Sequence, residues 1–471
     1  MKPWNRRQLI SRIAQLSGGI LLNPMNAKLL FAEEQLYRLN GRKPFVLYIH
    51  MGSSCGIASG LIQPLKAGEW PIGFFDAGKE GESVNPLLNH HIKAEQFILH
   101  PYSQPLAEIV QDCFLTNGTA VSLAHVTAAQ LQMTGSTLSG LTPQWAAGVA
   151  QNCKNEEHKN PILISSGIKS PSVPDLNMIN ATSLSQFMTI TSDPKVVPKG
   201  FESTWEAMLR EHQIQAIGST KIIDSERQKI QNLMKILNEG FPEFDSHKES
   251  INSLKEALSD TNYADIITQN PDHTNIQMDD RFKNYLILAG SLAKTGLASG
   301  MTIPDGSQDL HNGGGDVDTA RFAASRWALI NLFWKWIKKQ GMDQDMLIIV
   351  SHEFGRGAYN LRSVEKSITD QNGQTKEMTV HGRDHGLGMG ILFINKNVPS
   401  GARFGAVAEN LTPVPGTDFL AGYNPSAQAF TSSQLIGSML MRIYPELFPT
   451  ERDVRKHWPT FAPLTQLIRG N

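Results

Sequence analysis

The sequence is poor in cysteine: three occur in 471 residues, at Cys55, Cys113 and Cys153, and no two form a CxxC pair. This spacing excludes a disulfide scaffold and leaves room for at most one disulfide in an oxidising compartment. A zinc–thiolate site is disfavoured too, because such sites usually draw on paired cysteines. Any bound metal is therefore expected to be held by carboxylate and imidazole groups.

An excess of charge of either sign is also absent, since 43 Lys and Arg residues nearly balance 44 Asp and Glu residues and leave a net charge of -1. A strong general attraction to nucleic acid or to an acidic membrane is not expected, and we predict no nucleic-acid partner. Long hydrophobic runs are missing after the N-terminal segment. We therefore predict no transmembrane domain beyond that segment.

Residues 1–32 have the layout of a twin-arginine signal. Arg6 and Arg7 precede a modestly apolar run that ends at the small residue Ala32, and acidic residues follow at once. This pattern predicts export by the twin-arginine route to the periplasm or cell surface. Polar residues interrupt the run, which fits the alternative of an ordinary amphipathic helix or membrane anchor. The interruptions are Arg12, Asn23, Pro24 and Lys28.

Short apolar runs recur along the rest of the chain, with helical patterns between several of them. Runs of this kind, ended by small or polar residues, are typical of buried strands in a layered α/β sheet. Helical spacing of apolar residues predicts helices at 224–240 and 319–341. The polar stretch 201–274 is interpreted as a helical insertion packed on the sheet. The predicted strands lie at 45–51, 120–123, 161–164, 346–350 and 390–394, with a shorter one around 300–303.

Three clusters of Asp, Glu and His come beside predicted strands in the C-terminal half. The first is at 308–312, the second at 351–356 and the third at 381–386. We expect each cluster to lie in a loop, and the carboxyl ends of strands in such sheets form the ligand crevice. The third cluster precedes its strand, so it shares this edge only if that strand runs antiparallel to the others.

These residue types suit the hydrolysis of a phosphate or sulfate ester. That reaction needs charge stabilisation on the non-bridging oxygens and an activated nucleophile, and one or two divalent cations supply both. Arg356 and Arg383 are candidates to hold the oxyanion. Each cluster alone has a simpler interpretation: Asp309 as a capping residue in a loop, or Arg356 as an ion-pair partner of Glu353.

In their order along the chain, these motifs resemble those of the DUF1501 family of exported bacterial proteins. The resemblance covers roughly residues 40 to 445, and its last two elements match almost letter for letter. The matching elements are the loop at 52–54 after the first strand, the segment from His125 to the Met-Thr-Gly at 133–135, Asp-Leu-His at 309–311, Glu-Phe-Gly-Arg at 353–356 and Gly-Arg-Asp-His at 382–385.

The resemblance implies an alkaline-phosphatase/sulfatase-like domain at 40–471, with a mixed sheet in a three-layer α/β/α sandwich. It implies one metal at Asp309, His311 and His385, and Glu353, with or without Asp384, at or near a second. The cofactor it implies is zinc, manganese or calcium.

One feature departs from the superfamily, because the loop at 51–60 has no Asp or Glu where an acidic ligand usually follows the first strand. The nearest acidic candidate, Asp76, lies far along the chain, and His50, Ser53, Ser54 or Cys55 can substitute for the missing ligand. Ser53, Ser54 and, from the Met-Thr-Gly element, Thr134 are candidate nucleophiles. Ser53 and Ser54 fit equally well as plain turn residues.

Two functions are consistent with this sequence. The first is an exported metal-dependent hydrolase or transferase acting on a small-molecule or glycan phosphate or sulfate ester. The second is a catalytically degenerate protein whose cleft binds a glycan, a peptide or another envelope protein. A third hypothesis is that the chain is a structural component of a surface layer or another assembly.

Overall fold

A computed structural model describes most of the segments that carry the predicted sheet. The leader at 1–32, the predicted helix at 224–240, and Ser53, Ser54, Asp309 and His311 lie outside the described residues. The described ranges are 43–52, 61–62, 92–99, 103–119, 122–136, 142–153, 162–165, 177–187, 247–259, 279–305, 315–369, 375–407, 413–418 and 430–468.

The strands of the fold are β1 (Phe45–His50), β2 (Ile92–Ala94), β3 (Phe97–Leu99), β4 (Cys113–Thr119), β5 (Ile162–Ser165), β6 (Asn177–Ile179), β7 (Ala298–Pro304), β8 (Met346–Ser351), β9 (Gly355–Thr369), β10 (Thr375–Gly386), β11 (Gly388–Ile394), β12 (Ala402–Val407) and β13 (Pro413–Asp418). Nine of them form a central sheet in the order β13-β12-β4-β11-β8-β1-β7-β5-β6, and outside it β9 pairs with β10 and β2 pairs with β3.

Most strands of this sheet run the same way. β1 is parallel to β7 and β8, whereas β11 is antiparallel to both of its neighbours, β8 and β4. The start of β11 therefore lies at the edge where β1 and β8 end. The predicted condition for a shared edge, an antiparallel strand after the third cluster, is confirmed.

Helices cover both faces of this sheet. The helices are α1 (Gln104–Ala107), α2 (His125–Thr134), α3 (Trp145–Asn152), α4 (Lys248–Ala257), α5 (Asp280–Thr295), α6 (Gly315–Lys339), α7 (Ser432–Ile443), α8 (Glu451–Arg455) and α9 (Thr465–Ile468). No helix in the described part of the chain has the length and apolar character that a membrane span needs.

Alternate residues of the central strands build two separate cores. Phe45, Leu47 and Ile49 of β1 pack with α4, α5 and α6, whereas Val46 and Tyr48 pack with α3 and α7. Successive side chains of a strand point to opposite faces, so a strand that is apolar throughout needs helices on both sides. The predicted α/β class, with helices layered on both faces of a mixed sheet, is confirmed.

Two predictions of local structure were wrong. Ser122 and Leu123 are not in a strand, and the strand of this region is β4, which ends at Thr119. The sequence of β4 contains Thr116 and Asn117, so it lacks the continuous apolar run that marks the other strands. The third cluster is likewise not a loop, because 381–386 forms the end of β10 in a long hairpin with β9.

Candidate metal centre at the carboxyl edge of the sheet

The ends of β1 and β8 hold His50 and Glu353 side by side. In the parallel pairing of these strands, His50 lies opposite Ser351, two residues before Glu353. The loops stay together beyond the strands, since Met51 N donates to Ser351 O at 2.9 Å and Glu353 N to Gly52 O at 3.4 Å. The register of the sheet, and not a local sequence motif, therefore brings the two side chains to one place.

His125, the first residue of α2, binds the Glu353 carboxylate. Its Nδ1 lies 2.7 Å from Oε2, and the exposed fractions of the two side chains are 43% and 12%. A carboxylate can only accept, so Nδ1 of His125 donates this hydrogen bond. The main chain of Glu353 is held as well, because the side-chain amide of Gln132 donates to its carbonyl oxygen at 3.3 Å.

His50 lies on the other side of the same carboxylate. Its Nε2 is 3.9 Å from Oε1 of Glu353, beyond hydrogen-bond distance, and the residue is only 6% exposed. Within the described ranges, neither ring nitrogen of His50 has a hydrogen-bond partner. Its backbone is fixed by Asp305, whose N–H donates to the His50 carbonyl at 2.8 Å.

His385, next to the start of β11, completes the cluster. Its Nδ1 lies 2.6 Å from the carbonyl oxygen of Leu123. Because a carbonyl can only accept, Nδ1 carries the proton, and the neutral ring then has its lone pair on Nε2. The ring packs edge-on against His125 with centroids 4.6 Å apart, and against the Phe354 ring at 4.1 Å.

The histidines keep Glu353 ionised. Burial of this carboxyl opposes ionisation, but the hydrogen bond from His125 and the nearby charges of His50 and His125 outweigh burial and lower its pKa below the ordinary value. The carboxylate form, which binds cations, is therefore the form present near neutral pH.

A glycine lets the hairpin start directly beside this cluster. A Cβ atom on Gly355 would lie 2.0 Å from the carbonyl oxygen of Gly388, so any side chain there would push the backbone of β9 away from the start of β11. Gly355 also pairs with Gly386 at the base of the hairpin. The close approach explains why the Glu-Phe-Gly-Arg element carries glycine at this position.

The hairpin also places the backbone of the two predicted arginines. Arg356 of β9 is opposite His385, and Arg383 of β10 is opposite Asn360. Asp384 lies between Arg383 and His385 on the same strand. Each of the three residues is therefore within three positions of Glu353 or His385 along the chain.

Thr134 occupies a different position, at the last residue of α2. Its hydroxyl donates to the carbonyl oxygen of Gln130 at 2.8 Å, the carbonyl oxygen of Ser136 lies 3.1 Å from the same hydroxyl, and the residue is buried. Thr134 is nine positions after His125, which is roughly 13 Å along the helix axis. These contacts are those of a hydroxyl that caps the end of a helix.

An ion-pair network beside β7 was not anticipated from the sequence. Arg326 donates to both carboxylate oxygens of Asp305, at 2.7 and 2.9 Å, and to Asp279 at 2.7 Å. Asp305 follows directly after β7, and its position at a strand end was the available signal. The network anchors the strand end next to His50.

Three apolar side chains stay exposed close in sequence to His125 and His385. Among the described residues, the large hydrophobic side chains that stay exposed are Leu123, Val126 and Leu387, at 38%, 82% and 45%. Each is within two residues of His125 or His385. Exposed apolar side chains grouped in this way are typical of a binding surface.

The donors of this cluster suit a divalent cation of the zinc or manganese type better than calcium. Imidazole and carboxylate are usual ligands of zinc and manganese, whereas calcium takes oxygen ligands. A buried imidazole without a hydrogen bond and a carboxylate held ionised are both groups that a cation would satisfy. Within the described part of the chain, no set of three or more His, Cys, Asp and Glu residues is already arranged around a common point.

Comparison with known proteins gave weak similarities. No family model matches the chain, and no curated protein matches it either. A TAB5 alkaline phosphatase mutant with Mg bound in its M3 site is 12% identical, with a TM-score of 0.29, covering 78% of this chain and 95% of that one. The PsFucS1 sulfatase from Pseudoalteromonas sp. is 10% identical, with a TM-score of 0.28, covering 87% and 70%.

A third similar structure is the lipoteichoic acid synthase LtaP from Listeria monocytogenes, 9% identical with a TM-score of 0.26, covering 87% of this chain and 79% of that one. Identities and TM-scores this low assign no reaction to this chain.

Proposed function

We propose that the chain is an exported, metal-dependent hydrolase or transferase of the alkaline-phosphatase/sulfatase-like type, acting on a phosphate or sulfate ester. The observation that carries the proposal is the contact of Glu353 with His125 and its proximity to His50, at the edge where β1 and β8 end. Membership of the DUF1501 family and export by the twin-arginine route are part of the same proposal, and they are supported by the sequence motifs alone.

In this proposal Glu353 and His385 are metal ligands, together with Asp309, His311 and Asp384. A bound zinc or manganese ion would neutralise charge on the ester oxygens and lower the pKa of the attacking group. Calcium is the least suitable of the three cations, because the described donors include imidazole nitrogen.

The described residues have defined tasks in such a site. His125 orients the Glu353 carboxylate through Oε2. The Leu123 carbonyl fixes the His385 ring so that Nε2 can face a ligand. Ordering of this kind around metal-binding groups raises affinity, because the groups need not reorganise when the cation binds.

Substrate binding is assigned to the hairpin and the apolar surface. Arg356 and Arg383 are proposed to hold the oxyanion, since guanidinium groups pair with phosphate and sulfate through two parallel hydrogen bonds. The exposed Leu123, Val126 and Leu387 would contact an apolar part of the substrate. Ser53, Ser54 and Thr134 remain the proposed nucleophiles.

The test combines metal content with turnover. The full-length chain, stripped with a chelator and reloaded with zinc, manganese or calcium, is assayed with an aryl phosphate and an aryl sulfate, whose rings match the apolar surface. Glu353→Gln is expected to lower metal content and to reduce turnover at least ~100-fold, because it removes a charged ligand. Glu256→Gln, an exposed glutamate of α4, is the matched control and should behave as wild type.

The same contact also favours a second function, because it needs no metal. His125 gives Oε2 of Glu353 a hydrogen-bond donor at 2.7 Å without any cation. A catalytically degenerate protein that binds an envelope component in the same cleft would keep such a pair. Wild-type protein that takes up no zinc or manganese and turns over neither ester would contradict the enzyme proposal and support this binding function.

A further inference from the structure

We propose that His50 is a ligand of the cation through Nε2, next to Oε1 of Glu353, so that an imidazole stands where the superfamily has an acidic ligand. This inference rests on the proposed function, because it concerns the same metal centre. It adds His50 to the ligands of that centre, names Nε2 as the binding atom, and predicts which cations the centre prefers.

The distance between the two atoms carries the first part of the inference. Nε2 of His50 and Oε1 of Glu353 are 3.9 Å apart. With metal–nitrogen and metal–oxygen bonds of about 2.1 Å, two ligands of a tetrahedral site are about 3.4 Å apart. A shift of roughly 0.5 Å, within reach of a small side-chain rotation, would bring both atoms to bonding distance of one ion.

The two oxygens of Glu353 have different environments. Oε2 accepts from His125 at 2.7 Å, a distance that fits a hydrogen bond and is too short for two ligands of one metal. Oε1 faces His50 instead. The geometry therefore assigns His125 to orienting the carboxylate and leaves Oε1 and the His50 ring to share an ion.

The burial of His50 carries the second part. A polar group out of contact with water is normally hydrogen-bonded, and leaving it unsatisfied destabilises the folded protein. His50 is 6% exposed, and no group in the described ranges bonds either of its ring nitrogens. A cation at Nε2 gives this imidazole a role.

The exchange of a carboxylate for an imidazole changes the charge of the centre. His50 binds a metal as a neutral ligand, so it adds no negative charge where a carboxylate would add one. Cations that need several oxygen ligands lose more from this exchange than zinc does. We expect zinc and manganese to bind, and magnesium and calcium to bind at least ~10-fold more weakly.

Metal binding to the chelator-stripped full-length chain tests the inference without any assay of activity. Zinc affinity is measured by calorimetry for wild type, His50→Gln and the matched control His247→Gln, a histidine that precedes α4 away from this edge. Loss of a ligand is expected to weaken zinc binding at least ~10-fold in His50→Gln, and the control should match wild type.

A spectroscopic measurement identifies the atom. In protein labelled with ¹⁵N-histidine and loaded with ¹¹³Cd, His50 Nε2 should show a one-bond coupling to cadmium, and this signal should disappear in His50→Gln. His50→Asp serves as a second variant if His50→Gln fails to fold. It restores an acidic ligand and should bind zinc while losing the same coupled imidazole.

The outcomes separate this inference from the proposed function. Zinc binding that is lost in Glu353→Gln but unchanged in His50→Gln, with no coupled His50 signal, overturns the role of His50 and leaves the metal centre intact. Wild-type protein that binds neither zinc nor cadmium overturns both. A coupled His50 with no ester turnover supports the ligand and contradicts catalysis.

Discussion

Arg326 is the residue whose removal should affect stability most clearly. Arg326 is 5% exposed, and its guanidinium neutralises Asp305, itself 5% exposed, through two hydrogen bonds. Its plane also lies over the Phe322 ring, with Cζ 3.8 Å from the centroid. Burial raises the pKa of Asp305, and Arg326 offsets only part of that effect. The carboxyl therefore depends on this arginine to stay ionised.

Arg326→Leu is expected to destabilise the protein by about 3–5 kcal/mol, because it leaves a buried carboxylate without its counter-ion. Urea unfolding of the purified chain measures the change. Lys335→Ala, which breaks the exposed pair with Glu108, is the comparison and should change the free energy of unfolding by less than ~1 kcal/mol. Equal effects of the two substitutions would show that the buried network contributes no more than a surface pair.

The chemistry of single residues could be predicted only where a motif marked it. Glu353 stands out in the sequence because it follows a strong strand signal. The sequence marks His50 only as one of several substitutes for an acidic ligand, and it assigns His125 no role. Their contact depends on the pairing of β1 with β8 and on the position of α2, which are long-range features that residue spacing does not determine. The partnership of Asp305 with Arg326 is long-range in the same way.

At the scale of single elements, α3 shows how tightly the helices pack on this sheet. Gly148 of α3 packs directly against the ring of Trp458. A Cβ atom on this glycine would lie 2.4 Å from Cη2 and Cζ2 of the ring, so the two segments could not come this close with any other residue there. Trp458 also stacks on Trp145, the first residue of α3, with centroids 4.4 Å apart. The two rings and the glycine together fix how close the C-terminal segment lies to the helix.

Gly148→Ala is expected to destabilise the protein by about 1–3 kcal/mol, although alanine favours a helix by about 1 kcal/mol over glycine. The reason is the overlap with the Trp458 ring. Thermal or urea unfolding measures the effect. In a Trp458→Phe background the smaller ring gives room, so the penalty should shrink by at least ~0.5 kcal/mol. A penalty that is the same in both backgrounds would refute steric overlap as its cause.

The strands differed in how readily they could be predicted. β1, β8 and β11 are apolar along their length and were predicted within a few residues, as expected for strands buried on both faces. β4 could not be recognised because it contains the polar residues Thr116 and Asn117. Both residues can be buried because their side chains donate hydrogen bonds to the backbone carbonyls of Ile391 and Leu61. Buried polar residues with partners inside the fold break the hydrophobic pattern that reveals a strand.

The hairpin of β9 and β10 was missed for a different reason. Most of it pairs only with itself, outside the nine-stranded sheet. A strand that does not add to the central core needs no apolar run, and the sequence at 381–386 is polar and charged. Its motif could therefore be recognised while its conformation could not.

For the whole molecule, topology explains why sequence clusters far apart can share a site. β1 and β8 end at the edge where β11 begins, and α2 enters this edge after β4. The layered α/β class followed from the strand signals. The order of the strands in the sheet could not be predicted from these signals, because it depends on which surfaces pack best once all the strands are present.

The most direct measurement of the central claim is anomalous diffraction from crystals of the full-length chain soaked in zinc or manganese. We predict a peak about 2.0–2.2 Å from Oε1 of Glu353 and from Nε2 of His50. A fully occupied peak elsewhere in the molecule, or no peak at a saturating metal concentration, would contradict the assignment of this sheet edge as a metal centre.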